Sequence, residues 1–194
     1  FPRRSAPRRA PSARSKSSIA RSTGRAEPAR PEPRPSSASL RLVPTADWLP
    51  LLSEIADRSD EIARRLFRRV DLRVDEKPDR SLVTEADREI ETAARKLVSE
   101  RQPELGVFGE EQGEQAGLAS ARLIIDPIDA TANFVRGIPV FATLLAIEIE
   151  AEVVAGLVSA PALGTRWHAS RGRGAWQGER RLRVPKIHVT LRKA

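Results

Sequence analysis

The sequence predicts an α+β layered fold in which two N-terminal helices pack on a largely antiparallel sheet. Two amphipathic, helix-length segments come first, and several short β-rich runs follow them in succession. The two longest apolar runs are joined by only Glu150, Ala151 and Glu152, which suits a hairpin and not a helical crossover.

The chain has 194 residues, room for one ordinary domain with a tail, and 40% of them are apolar, enough for a core. It contains no Cys, which excludes a disulfide framework, a thiolate metal site and a Cys nucleophile. No apolar run reaches membrane-spanning length and no secretory h-region is visible. The net charge is +8, but residues 1–46 alone hold eleven Lys and Arg against two Asp and Glu. The rest carries 23 basic and 24 acidic groups and is near neutral, which argues against a nucleic-acid enzyme or a membrane-surface domain.

Residues 1–45, rich in Arg, Ser, Ala and Pro, cannot bury enough apolar surface to offset chain entropy and are expected to be disordered. Three origins fit such a tail: translated upstream sequence, an organelle transit peptide, or a basic nucleic-acid arm. The expected location is the cytoplasm, or the plastid if the tail is a transit peptide. The chain opens on Phe1, so its natural start is expected to lie upstream.

The folded domain is expected over residues 46–184. Leu51, Leu52, Ile55, Ala56, Ile62, Ala63, Leu66 and Phe67 keep near-helical spacing, with Thr45 or Asp47 as candidate cap. Lys77, Pro78 and Asp79 read as a loop. Thr84 then caps a second helix reaching about Glu100, with Asp87 placed for a capping box. Glu104 to Glu111 reads as a short strand running into a Gly turn and paired carboxylates, and 112–120 as a polar loop. Arg122 to Ile125 reads as a strand closed by Pro127. Runs 140–149 and 153–160 form the hairpin, and further short strands surround a Gly172–Gly174 turn.

The chemistry concentrates at Asp126, Pro127, Ile128, Asp129, Ala130 and Thr131. Two carboxylates three positions apart at a strand end can converge on one hard cation, since Mg²⁺ takes oxygen ligands and keeps room for phosphate. Backbone amides after the turn can face an anion where a helix begins. A lone pair of this kind is more often an Asp-rich turn, and Asp87 alone is more often a cap. His168 and His188 are the only histidines, so neither a His metal site nor a Ser-His triad is expected. Trp48, Trp167 and Trp176 are expected in packing, not as base-stacking platforms.

Taken in order, the stretch Leu82 to Asp87, the Gly109-Glu110-Glu111 turn, the Asp126 to Thr131 segment with Asn133 and Phe134, and the Gly172 to Trp176 turn resemble the inositol monophosphatase family. The resemblance runs from Trp48 to Val184. It implies the N-terminal half of an αβαβα sandwich and Mg²⁺-dependent hydrolysis of a phosphate monoester on a small polyol or amino alcohol. It further implies that Glu110 is a metal ligand, that Asp126 bridges two metals, that Ile128 offers its backbone carbonyl, and that Asp129 binds the second metal. Asp87 and Thr131 match the pair that orients the attacking water. The amides of Ala130 and Thr131 match the phosphate cradle, and Lys77 matches a basic loop residue near the site. Glu111 is read as lying behind the ligands or in solvent.

Two departures stand out. Ala130 occupies a position where the family usually has Gly. After Val184, residues 185–194 do not match the family's continuation, a second domain whose Asp completes the second metal site, so a truncated or frame-shifted product of low activity is expected. The wording of Gly137 to Thr143 and Val158 to Gly164 resembles the histidinol-phosphate phosphatase branch more than the inositol phosphate branch. The expected partners are a small phosphorylated substrate and a second copy of the chain, with no membrane and no nucleic acid. A non-catalytic interaction module remains the rival reading.

Overall fold

The structure, a computed structural model, describes residues 47–118 and 120–184. The expected tail 1–45 and the stretch 185–194 lie outside the described residues. The first helix, α1 (Leu49–Leu66), buries Leu52, Ile55, Ala56, Ile62, Ala63 and Leu66 along one face, as the spacing predicts. Trp48 holds the cap position without a side-chain bond, while Asp47 accepts from the Leu49 amide at 3.3 Å and from Arg173 at 2.6 Å. The chain then turns extended at Phe67. The second helix, α2 (Glu85–Arg101), opens with the expected capping box: Asp87 accepts from the Thr84 amide at 2.7 Å and from its hydroxyl at 2.6 Å.

Before α2, β1 (Val74–Glu76) and β2 (Leu82–Thr84) form a small antiparallel sheet around the Lys77 loop. The strands β3 (Gly106–Gly109), β4 (Gly113–Gln115), β5 (Ala121–Asp129), β6 (Ala142–Ile149), β7 (Glu152–Ala160), β8 (Thr165–Ser170), β9 (Gly174–Gln177) and β10 (Arg180–Arg181) form one sheet, ordered β10-β9-β8-β7-β6-β5-β3-β4. Every neighbouring pair is antiparallel except β3 with β5. The expected class therefore holds: helices layered on a mixed, mostly antiparallel sheet.

Two expectations need correcting. The 112–120 segment is not all loop, because β4 pairs with β3 at the sheet edge. Its residues are mostly exposed, so no apolar alternation marked it. Nor does the central strand stop before Pro127: β5 continues to Asp129, with a register shift between Asp126 and Asp129. Proline lacks the ladder donor and is tolerated where pairing is already broken.

One face of the sheet carries the core. Leu123, Ile125, Leu145, Ile147, Ala155 and Leu157 are buried there with the apolar faces of α1 and α2. Arg166 ties β8 to α1 by donating to Asp57 and Asp60, and Ser159 donates to buried Asp60 at 2.7 Å. The alternate residues Ile124, Leu144, Val158 and Trp167 are half-buried and line an apolar groove of about 430 Å³ that also touches Asp126. A short helix, α3 (Thr131–Val135), is pinned by fully buried Phe134, whose ring lies 5.4 Å from Phe67 and 4.8 Å from Phe141. Among the described residues no helix is long and apolar enough to cross a membrane.

Candidate active site

The single parallel pairing builds the site. Gly109 stands opposite Ile125 as the last pair between the two strands, so the residues that follow, Glu110 and Asp126, lie at the same end of the parallel pair. The Glu110 amide donates to the Ile125 carbonyl at 3.3 Å, fixing the ends of the two strands against each other. Asp126 is half-buried, and its Oδ1 is a buried oxygen without a hydrogen-bond partner. Burial, then the charges of Glu110 and Asp129, a hydrogen bond with Glu110 and the charge of Asp87 push the Asp126 carboxyl up to about 7. Asp87 is raised to about 6, chiefly by burial and against the hydrogen bonds from Thr84, with Glu111 adding repulsion.

Beside this acidic centre stands a cation, Lys77. Lys77 Nζ lies 2.8 Å from a Glu111 oxygen and 2.9 Å from a Glu110 oxygen. Burial alone lowers the Lys77 pKa, but the two carboxylates outweigh it and the ammonium is held above its ordinary range. Ala130 sits in the left-handed region, φ 65° and ψ 47°, at the start of α3. The Thr131 hydroxyl donates to the Ile128 carbonyl at 2.9 Å. Buried Thr143 donates to the Pro127 carbonyl at 2.8 Å, so the middle of the Asp126–Asp129 segment is fastened to β6.

Glu110, Asp126, Asp129, Asp87 and Lys77 thus fall within one electrostatic neighbourhood. The hydrogen bonds of Asp87 and Thr131 do not run to each other: Asp87 is bonded to Thr84, and Thr131 to Ile128. Two residues not singled out from the sequence hold the turn that carries Glu110. Glu91, fully buried on α2, accepts from the Glu111 amide at 2.8 Å and from the Gln112 amide at 3.1 Å. Arg95, one turn later, is paired with it at 2.6 Å. In the sequence this pair has the spacing of any solvated Glu/Arg pair on a helix, and nothing local marks it as buried.

A buried carboxylate oxygen without a partner, crowded by two further acids, asks for a proton or a cation. Carboxylates and a backbone carbonyl are the oxygen donors that hard divalent ions take, so the donor set fits Mg²⁺. Among the described residues no three acids or histidines already stand together as an ion-holding group, and Glu110 is engaged by Lys77.

The family model described as "Inositol monophosphatase family" matches residues 46–193. The histidinol-phosphatase of Mycobacterium tuberculosis is 44% identical over 144 residues, which are 74% of this chain and 55% of that protein. The inositol-1-monophosphatase of Rhizobium meliloti is 41% identical over 114 residues, 58% of this chain and 43% of that protein. The extragenic suppressor protein suhB of Bartonella henselae superposes with a TM-score of 0.70 at 32% identity, covering 73% of this chain and 56% of that one. The chain spans about half the length of the curated relatives it matches.

Proposed function

Because this chain belongs to the inositol monophosphatase family, we propose that it supplies the metal-binding half of a Mg²⁺-dependent phosphatase acting on a small phosphate monoester, histidinol phosphate before inositol phosphate. The observation that carries this reading is Asp126, a buried carboxylate with an unpartnered oxygen at the end of the parallel strand pair, repelled by Glu110 and Asp129. The similarity to histidinol-phosphatases at 44% identity supports the substrate preference.

Glu110, Asp126, Asp129 and the Ile128 carbonyl would hold the ions. Bound Mg²⁺ would supply charge neutralisation at the phosphoryl oxygens and lower the pKa of an attacking water. This chain's own residues do the rest. Asp126 must give up its proton, which its surroundings hold to about 7, before it can serve as a ligand. Thr131 and Asp87 are assigned to orienting the attacking water, the carboxylate accepting its proton. The amides of Ala130 and Thr131 are assigned to the phosphate, and Lys77 offers positive charge at the rim of the same site. The 194-residue chain is expected to bind Mg²⁺ more readily than it turns over substrate. Its open apolar face is expected to promote self-association.

The test is Mg²⁺ calorimetry on the chain together with phosphate release from L-histidinol phosphate and from inositol 1-phosphate. Expected are Mg²⁺ binding abolished or strongly weakened by Asp126→Asn, and EDTA-sensitive release that favours histidinol phosphate. Mg²⁺ binding indifferent to Asp126 would overturn the site, and preference for the inositol substrate would overturn the substrate reading.

A further inference from the structure

Glu91 has no place in the chemistry above, yet it is among the most deeply buried charged residues of the domain, 0% exposed. A buried ion pair is not needed for stability, since apolar residues of similar volume fill such a site about as well. What Glu91 does is visible in its partners. Its Oε2 accepts from the Glu111 amide at 2.8 Å. Its Oε1 accepts from the Gln112 amide at 3.1 Å and from Arg95 Nε at 3.0 Å and Nη2 at 2.6 Å. Arg95 in turn donates to the Gly113 carbonyl at 2.7 Å and to the Gln115 side chain at 3.3 Å. Between them, two side chains one turn apart on α2 grip both the N–H and the C=O groups of the turn after β3.

Gly109 completes the arrangement. A Cβ on Gly109 would lie 2.1 Å from Glu91 Oε1, so the absent side chain is what lets the carboxylate reach the turn. Glu110 is left between two fastenings. Its own amide is held by Ile125 on β5, and the next two amides are held by Glu91 on α2. Its side chain, 48% exposed, points out of this grip.

We infer that Glu91, buttressed by Arg95, is a positioning residue that fixes Glu110 relative to Asp126 for divalent-cation binding. The inference rests on the proposed function, because it takes Glu110 and Asp126 to be ligands. Residues behind a ligand typically change metal affinity about 10–100-fold when replaced. Glu91→Gln is a sharp probe: it keeps the shape but aims an NH₂ group at one of the turn amides or at Arg95, a donor against a donor.

The experiment is Mg²⁺ calorimetry on the 194-residue chain, each variant being held at a temperature where circular dichroism shows it folded. Four proteins are compared: the parent, Asp126→Asn, Glu91→Gln, and Val98→Ala. Val98→Ala removes buried packing from α2 without touching the turn, so it reproduces a loss of stability alone. Glu91→Gln is expected to weaken Mg²⁺ binding about tenfold or more, while Val98→Ala leaves the affinity unchanged. If Glu91→Gln binds Mg²⁺ like the parent and only melts earlier, Glu91 serves folding alone and the inference is overturned. Should Glu91→Gln not fold, Arg95→Lys replaces it, since Lys cannot hold Glu91 and the Gly113 carbonyl with one planar fork. A loss of about tenfold supports the inference, and parental affinity overturns it. Parental Mg²⁺ binding that ignores Asp126→Asn would instead refute the proposed function, and the inference with it.

Discussion

Thr143 Oγ1 donates a 2.8 Å hydrogen bond to the carbonyl of Pro127 in the interior of the protein. Pro127 lies where β5 shifts register, so this side-chain bond replaces part of the ladder that the proline interrupts. Thr143→Val keeps the shape and leaves a buried carbonyl without its donor. Thermal denaturation should show a loss of about 1–3 kcal/mol, and Mg²⁺ affinity should fall with it because Asp126 and Asp129 flank the loosened carbonyl.

Asp126→Asn and Glu111→Gln make a discriminating pair for Mg²⁺ binding. Asp126 has a buried oxygen with no partner, whereas a Glu111 oxygen is already taken by Lys77. Calorimetric titration should therefore show the larger loss of affinity for Asp126→Asn. Equal affinities for the two variants would remove Asp126 from the ligand set.

Without divalent ions, Asp126 also sets a pH dependence. Its carboxyl is raised from 3.8 to about 7, so the folded chain holds that proton more tightly than the unfolded chain does. The associated stability is fully present below about pH 4 and is lost as pH rises to about 7. In EDTA, Asp126→Asn should melt higher than the parent at pH 7.5, and the two melting curves should converge near pH 4. A parent that gains stability over the variant with rising pH would contradict the assigned direction.

Ala130 sits at φ 65°, in the left-handed region that an alanine methyl disfavours by about 1–2 kcal/mol. Glycine relieves that strain but makes the unfolded chain more flexible, which returns about 0.4–1 kcal/mol. Ala130→Gly should therefore raise the melting temperature slightly or leave it in place, with phosphatase activity unchanged or higher. A large loss of activity would show that the methyl contributes to the site.

Arg166 spans from β8 to Asp57 and Asp60 on α1, and Asp60 is only 3% exposed. Arg166→Met would leave that carboxylate with the Ser159 hydroxyl and Arg64, 3.5 Å away, as partners. Denaturant titration should show a loss of about 3 kcal/mol or more. The double variant with Asp60→Asn should recover part of it.

Much of this was legible in the sequence because it is local. The Thr84–Asp87 capping box, the α1 stripe and the β6–β7 hairpin each declare themselves within a few residues. What escaped is set by distant partners. β1 is exposed throughout and exists because β2 pairs with it. The exposed strand β4 likewise exists because β3 does. In the site, the carboxylates at 110, 126 and 129 could be found from their order along the chain. Glu91 could not, because a Glu four residues before an Arg looks the same on a wet helix face as beneath a turn. Only the sheet edge lying over it makes the difference.

The parallel pairing of β3 and β5 has a consequence for how freely the domain can vary. Strands running the same way finish their pairing at one end, so Glu110 and Asp126, which follow the last paired residues Gly109 and Ile125, become neighbours by direction of travel. An antiparallel partner would have carried Asp126 to the far end, about three residues of strand or 10 Å away. The length of the return path drops out of the geometry: once Gly109 faces Ile125, residues added near Ser120, on the way back to β5, lie at the opposite end from the acids. Lineages and engineers alike can lengthen or decorate that return without retuning the chemistry.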